Sequence, residues 1–166
     1  MEVDRIISRR VESAPRTLGV IEAARRMRDA HVGDLVIVDD VEGKKSPVGI
    51  VTDRDLVVAV LAPEAQHLRL LEVGDIMSDV LVTATEDESV DDVLRRMQSF
   101  GVRRVPVLDA AGSLCGVLSI DDIVMALADE FSRLADLVAR QQLEEQRRRP
   151  SRTDATRAEG SGASRP

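Results

Sequence analysis

At 166 residues and 43% hydrophobic side chains, the chain is long enough for one domain or for two small ones sharing a core. With no Trp, no Tyr and only two Phe it has almost nothing to build a base-stacking surface, and a net charge of −7 works against broad phosphate binding. Its single Cys rules out an internal disulfide and predicts a reducing, cytoplasmic setting, and no apolar run approaches the roughly 20 residues that span a bilayer.

Taken in chain order, the predicted elements occur twice. Positions 3–39 fall on 73–109 without a gap, pairing Val3 with Val73, Ile6 with Ile76, Ser8 with Ser78 and Arg25-Arg26-Met27 with Arg95-Arg96-Met97. A repeat of this kind decides the fold before any local reading does. In the first copy, Ala14-Pro15-Arg16-Thr17 reads as a turn into a helix, with Thr17 as N-cap and Leu18, Ile21, Ala24 and Met27 on one face. A strand follows at 35–38, a hairpin-like loop at 42–47, a returning strand at 48–52 and a helix from 53 to about 61.

The second copy repeats this order. Val90, Val93, Leu94 and Met97 mark its first helix, strands are predicted at 105–108 and 114–119 around a loop at 110–113, and a helix starts at Ile120. With no Gly or Pro before Pro150, that helix is predicted to reach about Arg147, carrying Leu127, Phe131, Leu134 and Val138 on one stripe. The stripe serves either packing on its own domain or a dimer contact. Residues 150–166, rich in Ser, Gly, Ala and Arg, read as a disordered tail. Six arginines against two acids from Arg147 onward give +4, which leaves −11 on the rest of the chain. Neither nucleic acid nor a membrane is therefore expected as a partner. Met27, Met77, Met97 and Met125 read as core, and His31, His67 and Cys115 lack metal-ligand spacing.

The sharpest local pattern is the junction between returning strand and helix. It reads Gly49-Ile50-Val51-Thr52-Asp53-Arg54-Asp55 in the first copy and Gly116-Val117-Leu118-Ser119-Ile120-Asp121-Asp122 in the second. A hydroxyl followed by a carboxylate three residues later makes a helix-capping box. The same pair suits a ribose phosphate, because a helix N-terminus attracts phosphate and an acidic side chain accepts from a cis-diol. The residues alone leave both readings open.

These junctions, with Asp75-Ile76-Met77-Ser78 and Gly101-Val102-Arg103-Arg104-Val105-Pro106-Val107-Leu108-Asp109, resemble cystathionine-β-synthase (CBS) domains, and the tandem resembles a Bateman module. The resemblance implies an α/β (α+β) fold of two repeats, each a small mixed sheet with two flanking helices, packed as a pseudo-two-fold pair with a long C-terminal helix. The expected divisions are repeat 1 at 1–66, repeat 2 at 73–134, a helical extension at 135–149 and the tail at 150–166. It also implies an adenine nucleotide (AMP, ADP or ATP, with NAD or S-adenosylmethionine as further candidates) as a regulatory ligand, with no covalent cofactor and no metal.

By the same resemblance, Asp55 and Asp122 hold ribose hydroxyls and Thr52 and Ser119 bond ribose or phosphate. Arg104 and Arg103 meet the phosphates, and Arg54, Asp121 and the lead-in residue Val80 complete the set. Where the second copy has Arg103-Arg104, the first has Gly33-Asp34, so the two sites are expected to differ, with Asp122 more important to binding than Asp55. The function implied is a non-enzymatic, stand-alone regulatory module acting as a homodimer on an unidentified partner protein. The alternative is an interaction scaffold whose cleft has lost its ligand.

Overall fold

The computed structural model describes residues 1–61, 68–78 and 80–148. His67, Asp79 and the expected tail at 150–166 lie outside the described residues. The first copy builds a three-stranded sheet in the order β1-β2-β3, from β1 (Ser13–Ala14), β2 (Asp34–Val41) and β3 (Lys44–Thr52). The second builds β4-β5-β6 from β4 (Ala84–Thr85), β5 (Arg104–Leu108) and β6 (Leu114–Ser119). In each sheet the first strand runs parallel to the second and the second antiparallel to the third.

The helices α1 (Val20–Ala30) and α3 (Val90–Phe100) form because their apolar positions recur at helical spacing. They bury Val20, Ala23 and Met27 in one copy and Val90, Val93 and Met97 in the other. Both end on a left-handed residue, His31 (φ 55°) in the first and Gly101 (φ 66°) in the second. Gly takes this conformation without steric penalty, and His is among the few other residues enriched there. His31 is therefore a helix end.

Several expectations need correction. Thr17 does not cap α1: Gly19 stands at that position with no side-chain bond, because Leu18 is drawn into the first core and its carbonyl accepts from Val73 N–H at 2.8 Å. The loop predicted at 42–47 shrinks to Glu42 and Gly43, both at positive φ, and β3 already starts at Lys44. Met125 is exposed (65%), unlike Met27 and Met97, because it points away from the apolar face that carries Ile123 into the core.

After the junction, α2 (Asp53–Asp55) widens into a π-helical turn over Leu56–Leu61. In the second copy α4 runs uninterrupted over Ile120–Arg148. Two compact units result, one ending at Val124 and one starting at Met125. The described part of the second is helix alone, with Leu127, Phe131, Leu134 and Val138 exposed along its stripe.

Within the first unit the lead-in segments are exchanged. The 3₁₀ turn Val3–Arg5 docks on the second copy: Val3 N–H donates to Glu88 O and Asp4 N–H to Glu86 O. Its counterpart Val73–Asp75 docks on the first, with Val73 N–H donating to Leu18 O and Gly74 N–H to Arg16 O. Ser8 pairs with Val117 while Ser78 N–H donates to Ile50 O. The donors Val3, Asp4 and Ser8 thus recur as Val73, Gly74 and Ser78 with the copies interchanged, which is a pseudo-two-fold axis written in hydrogen bonds. Val3 completes the core of Val93, Met97, Val105 and Leu118, and Val73 completes that of Ala23, Leu35, Ile37 and Val51. Val36, Val38 and Val117 form a third cluster joining the two sheets.

Candidate functional site

The exchange explains the glycine that opens each junction. A Cβ at Gly49 would lie 2.6 Å from Met77 Sδ, and one at Gly116 would lie 2.9 Å from Ile7 Cδ1 and 3.2 Å from the Ser8 carbonyl. Each glycine admits the lead-in segment of the other copy across its strand. The lead-in then continues past the junction and becomes a wall of the cleft beside it.

Both junctions form complete capping boxes. Asp55 Oδ2 accepts from Thr52 N–H at 2.8 Å and from the Thr52 hydroxyl at 2.7 Å, while Asp55 N–H donates to Thr52 Oγ1 at 3.2 Å. Asp122 Oδ2 accepts from Ser119 N–H at 2.8 Å and from its hydroxyl, and Asp122 N–H donates to Ser119 Oγ at 3.1 Å. Capping occupies a single oxygen of each carboxylate. Among the described residues, Oδ1 of Asp55 and of Asp122 makes no hydrogen bond, so a cap and an acceptor for a ligand hydroxyl coexist in one side chain.

The first cavity, about 530 Å³, brings Thr52, Arg54 and Asp55 from the first junction together with Ser78 and Val80 from the lead-in. Across from them stand Arg103, Arg104 and Asp121 of the second copy. The second cavity, about 170 Å³, gathers Ser119 and Asp122 with Ser8, Arg10 and Glu12, facing Asp34 and Arg104. All nine residues singled out in the sequence line one cavity or the other, but their grouping differs from expectation. With Arg103-Arg104 present in the second copy alone, the sequence predicts the stronger site at Asp122. The pseudo-two-fold places the end of α3 opposite the first junction instead, so Arg103 lines the first cavity alone and Arg104 lines both. Ser78 and Ser8 were not singled out as site residues, although their identity across the copies was the available signal.

Between the cavities, Arg104 Nη1 meets Asp34 Oδ1 at 2.8 Å. These are equivalent positions of the repeat, so the pseudo-axis brings them face to face. The Asp34 side chain is 15% exposed. Burial pushes its carboxyl above the ordinary 3.8; Arg104 pulls it back, and Asp53 pushes it up again. Among the described residues, the one ion pair of Arg103 is a distant, exposed contact with Asp121 at 3.9 Å.

The raised Asp34 carboxyl has a testable consequence. A carboxyl whose folded pKa exceeds its unfolded value binds its proton more tightly when folded, so its contribution to stability is present in acid and lost as pH rises through the folded pKa. Thermal melts of wild type and Asp34→Asn between about pH 3 and pH 7 should show wild type losing stability relative to the variant as pH rises. The opposite slope would mean that attraction to Arg104 outweighs desolvation.

Residues 3–62 and 73–129, one stretch in each copy, match the CBS domain. The chain belongs to the CBS domain family. It is a tandem CBS module, and its relatives are consistent with that. A Bacillus subtilis protein, YlbB, is 40% identical over 64% of this chain and 69% of its own length. A Methanopyrus kandleri protein is 33% identical over 75% of this chain, which spans 61% of that relative, under two thirds of it. Among solved structures, the CBS domain pair of protein MJ0100, in complex with 5′-methylthioadenosine and S-adenosyl-L-methionine, superimposes with a TM-score of 0.66 at 28% identity, covering 76% of this chain and 99% of that one. A hexameric CBS-CP12 protein from bloom-forming cyanobacteria gives 0.65 at 26% identity over 75% of this chain and 69% of that one. No helix among the described residues is long and apolar enough to cross a membrane.

Proposed function

We propose that this CBS pair is a regulatory module that binds an adenine nucleotide (AMP, ADP or ATP) in its first cavity and acts on a partner protein. The observation that carries the reading is the meeting of the Thr52/Asp55 junction with Arg103 and Arg104 in one cavity of about 530 Å³, a volume typical of small-molecule sites. Asp55 Oδ1 accepts from the ribose hydroxyls and Thr52 bonds ribose or phosphate. Arg54, Arg103 and Arg104 face the phosphates, with Asp121 beside Arg103 at the rim. Val80 supplies an apolar edge for the adenine. Ser119 and Asp122 carry the same cap-and-acceptor groups in the second cavity, apart from this site. The adenosine compounds held by the MJ0100 pair support the choice of ligand class. A ligand that bridges the copies shifts their arrangement only by binding one arrangement more tightly, and this is how the signal reaches the partner.

Thermal melting by circular dichroism or an external dye tests this. A nucleotide at 100 times its Kd should raise stability by about 2.7 kcal/mol, on the order of 5–10 °C. No shift with AMP, ADP or ATP at millimolar concentration would sink the proposal and favour the ligand-free scaffold. The module is proposed to act as a homodimer, so the same melts at two protein concentrations should differ. Identical curves would point to a monomer.

A further inference from the structure

The two cavities are related by the repeat yet differ in what they present to an anion: three arginines and three aspartates line the first, two arginines and three carboxylates the second. Where the first junction faces Arg103 and Arg104, the second faces their counterparts from the first copy, and of these it is Asp34 that lines the second cavity. The cation nearest to Asp34 is Arg104, already engaged with it at 2.8 Å. Beyond that pair the second cavity holds Arg10 against Glu12 and Asp122. An entering phosphate would therefore meet a carboxylate at the place where the first cavity offers guanidinium groups. Size acts in the same direction: about 170 Å³ falls below the roughly 300–1,000 Å³ of small-molecule pockets, whereas about 530 Å³ lies within it.

Resting on the nucleotide reading above, we infer that Asp34 is a specificity-determining residue that limits the protein to one nucleoside phosphate per chain, bound in the first cavity. Asp34 does this by rejecting phosphate directly and by engaging the charge of Arg104, which lines the second cavity as well.

Calorimetric titration of the full chain with ADP provides the test. Wild type should bind a single equivalent, weakened about tenfold or more by Asp55→Asn. Asp34→Arg should admit a second equivalent that Asp122→Asn then removes. If two like charges at positions 34 and 104 unfold that variant, as melting would show, Asp34→Asn should still admit a second, weaker equivalent. Two ADP per wild-type chain would overturn the inference and leave the nucleotide reading standing. A single ADP lost with Asp122→Asn, or no second equivalent in a folded Asp34 variant, would overturn it as well. No binding to wild type at all would remove the nucleotide reading, and this inference with it.

Discussion

Asp55→Asn is expected to weaken nucleotide binding about 10- to 100-fold while leaving the melting temperature of the unliganded protein nearly unchanged. The two oxygens of Asp55 have separate tasks. Oδ2 caps α2 by accepting from Thr52 N–H and hydroxyl at 2.8 and 2.7 Å. The amide oxygen of asparagine can take over that role. The other oxygen becomes an NH₂ group, a donor facing the donors of a ribose diol. Hydrogen bonds to a charged group contribute about 1.5–3 kcal/mol, and each 1.4 kcal/mol is a factor of ten in affinity. Alanine would be the poorer probe, because losing the cap itself costs about 1 kcal/mol and mixes the two effects. Calorimetry with ADP and a melt of the free protein separate them. An unchanged affinity in a folded variant would leave Asp55 as a cap alone.

Gly116→Val is expected to destabilise the fold by about 3 kcal/mol, and Gly49→Val by about 1 kcal/mol, in urea unfolding followed by circular dichroism. The shorter contact belongs to the milder substitution. At Gly49 the obstacles all belong to Met77, its sulfur at 2.6 Å from a built Cβ, its Cγ at 3.0 and its Cβ at 3.2 Å, and rotation of the side chain withdraws the first two. At Gly116 the obstacles are Ile7 and the carbonyl of Ser8, at 2.9 and 3.2 Å. That carbonyl accepts from Val117 N–H, while Ser8 N–H donates to Val117 O, both at 3.0 Å. Moving it breaks a bridge at the centre of the molecule. Equal losses at the two glycines would show that the lead-in segments yield more easily than their hydrogen bonds imply.

Much of this arrangement was legible in the residues. The doubling, the helices on Val20 and Val90, the return strand 114–119 and the capping boxes all follow from spacing and residue type. The two-residue strands β1 and β4 were not legible, because a pair of residues has no period to read. More consequential was the exchange of lead-in segments. Val3 and Val73 are apolar in both copies and would be buried equally by docking on their own copy or on the other, so the pattern is silent on which occurs. That silence is why Arg103 and Arg104 pointed to Asp122, not Asp55, as the residue that matters more. Once the crossing is known, the register of the repeat gives the cavity that each of these residues lines.

The same crossing shapes how the molecule comes into being. Val3 is the keystone of a core whose other members begin at Val82, so the second copy closes on a segment made long before it. Val73, in turn, must arrive before the core around Leu35 and Ile37 is sealed. Contacts so distant along the chain slow folding, since the loop must close before they repay it. Neither copy has a finished interior of its own, so the two are expected to unfold together, in one transition rather than two.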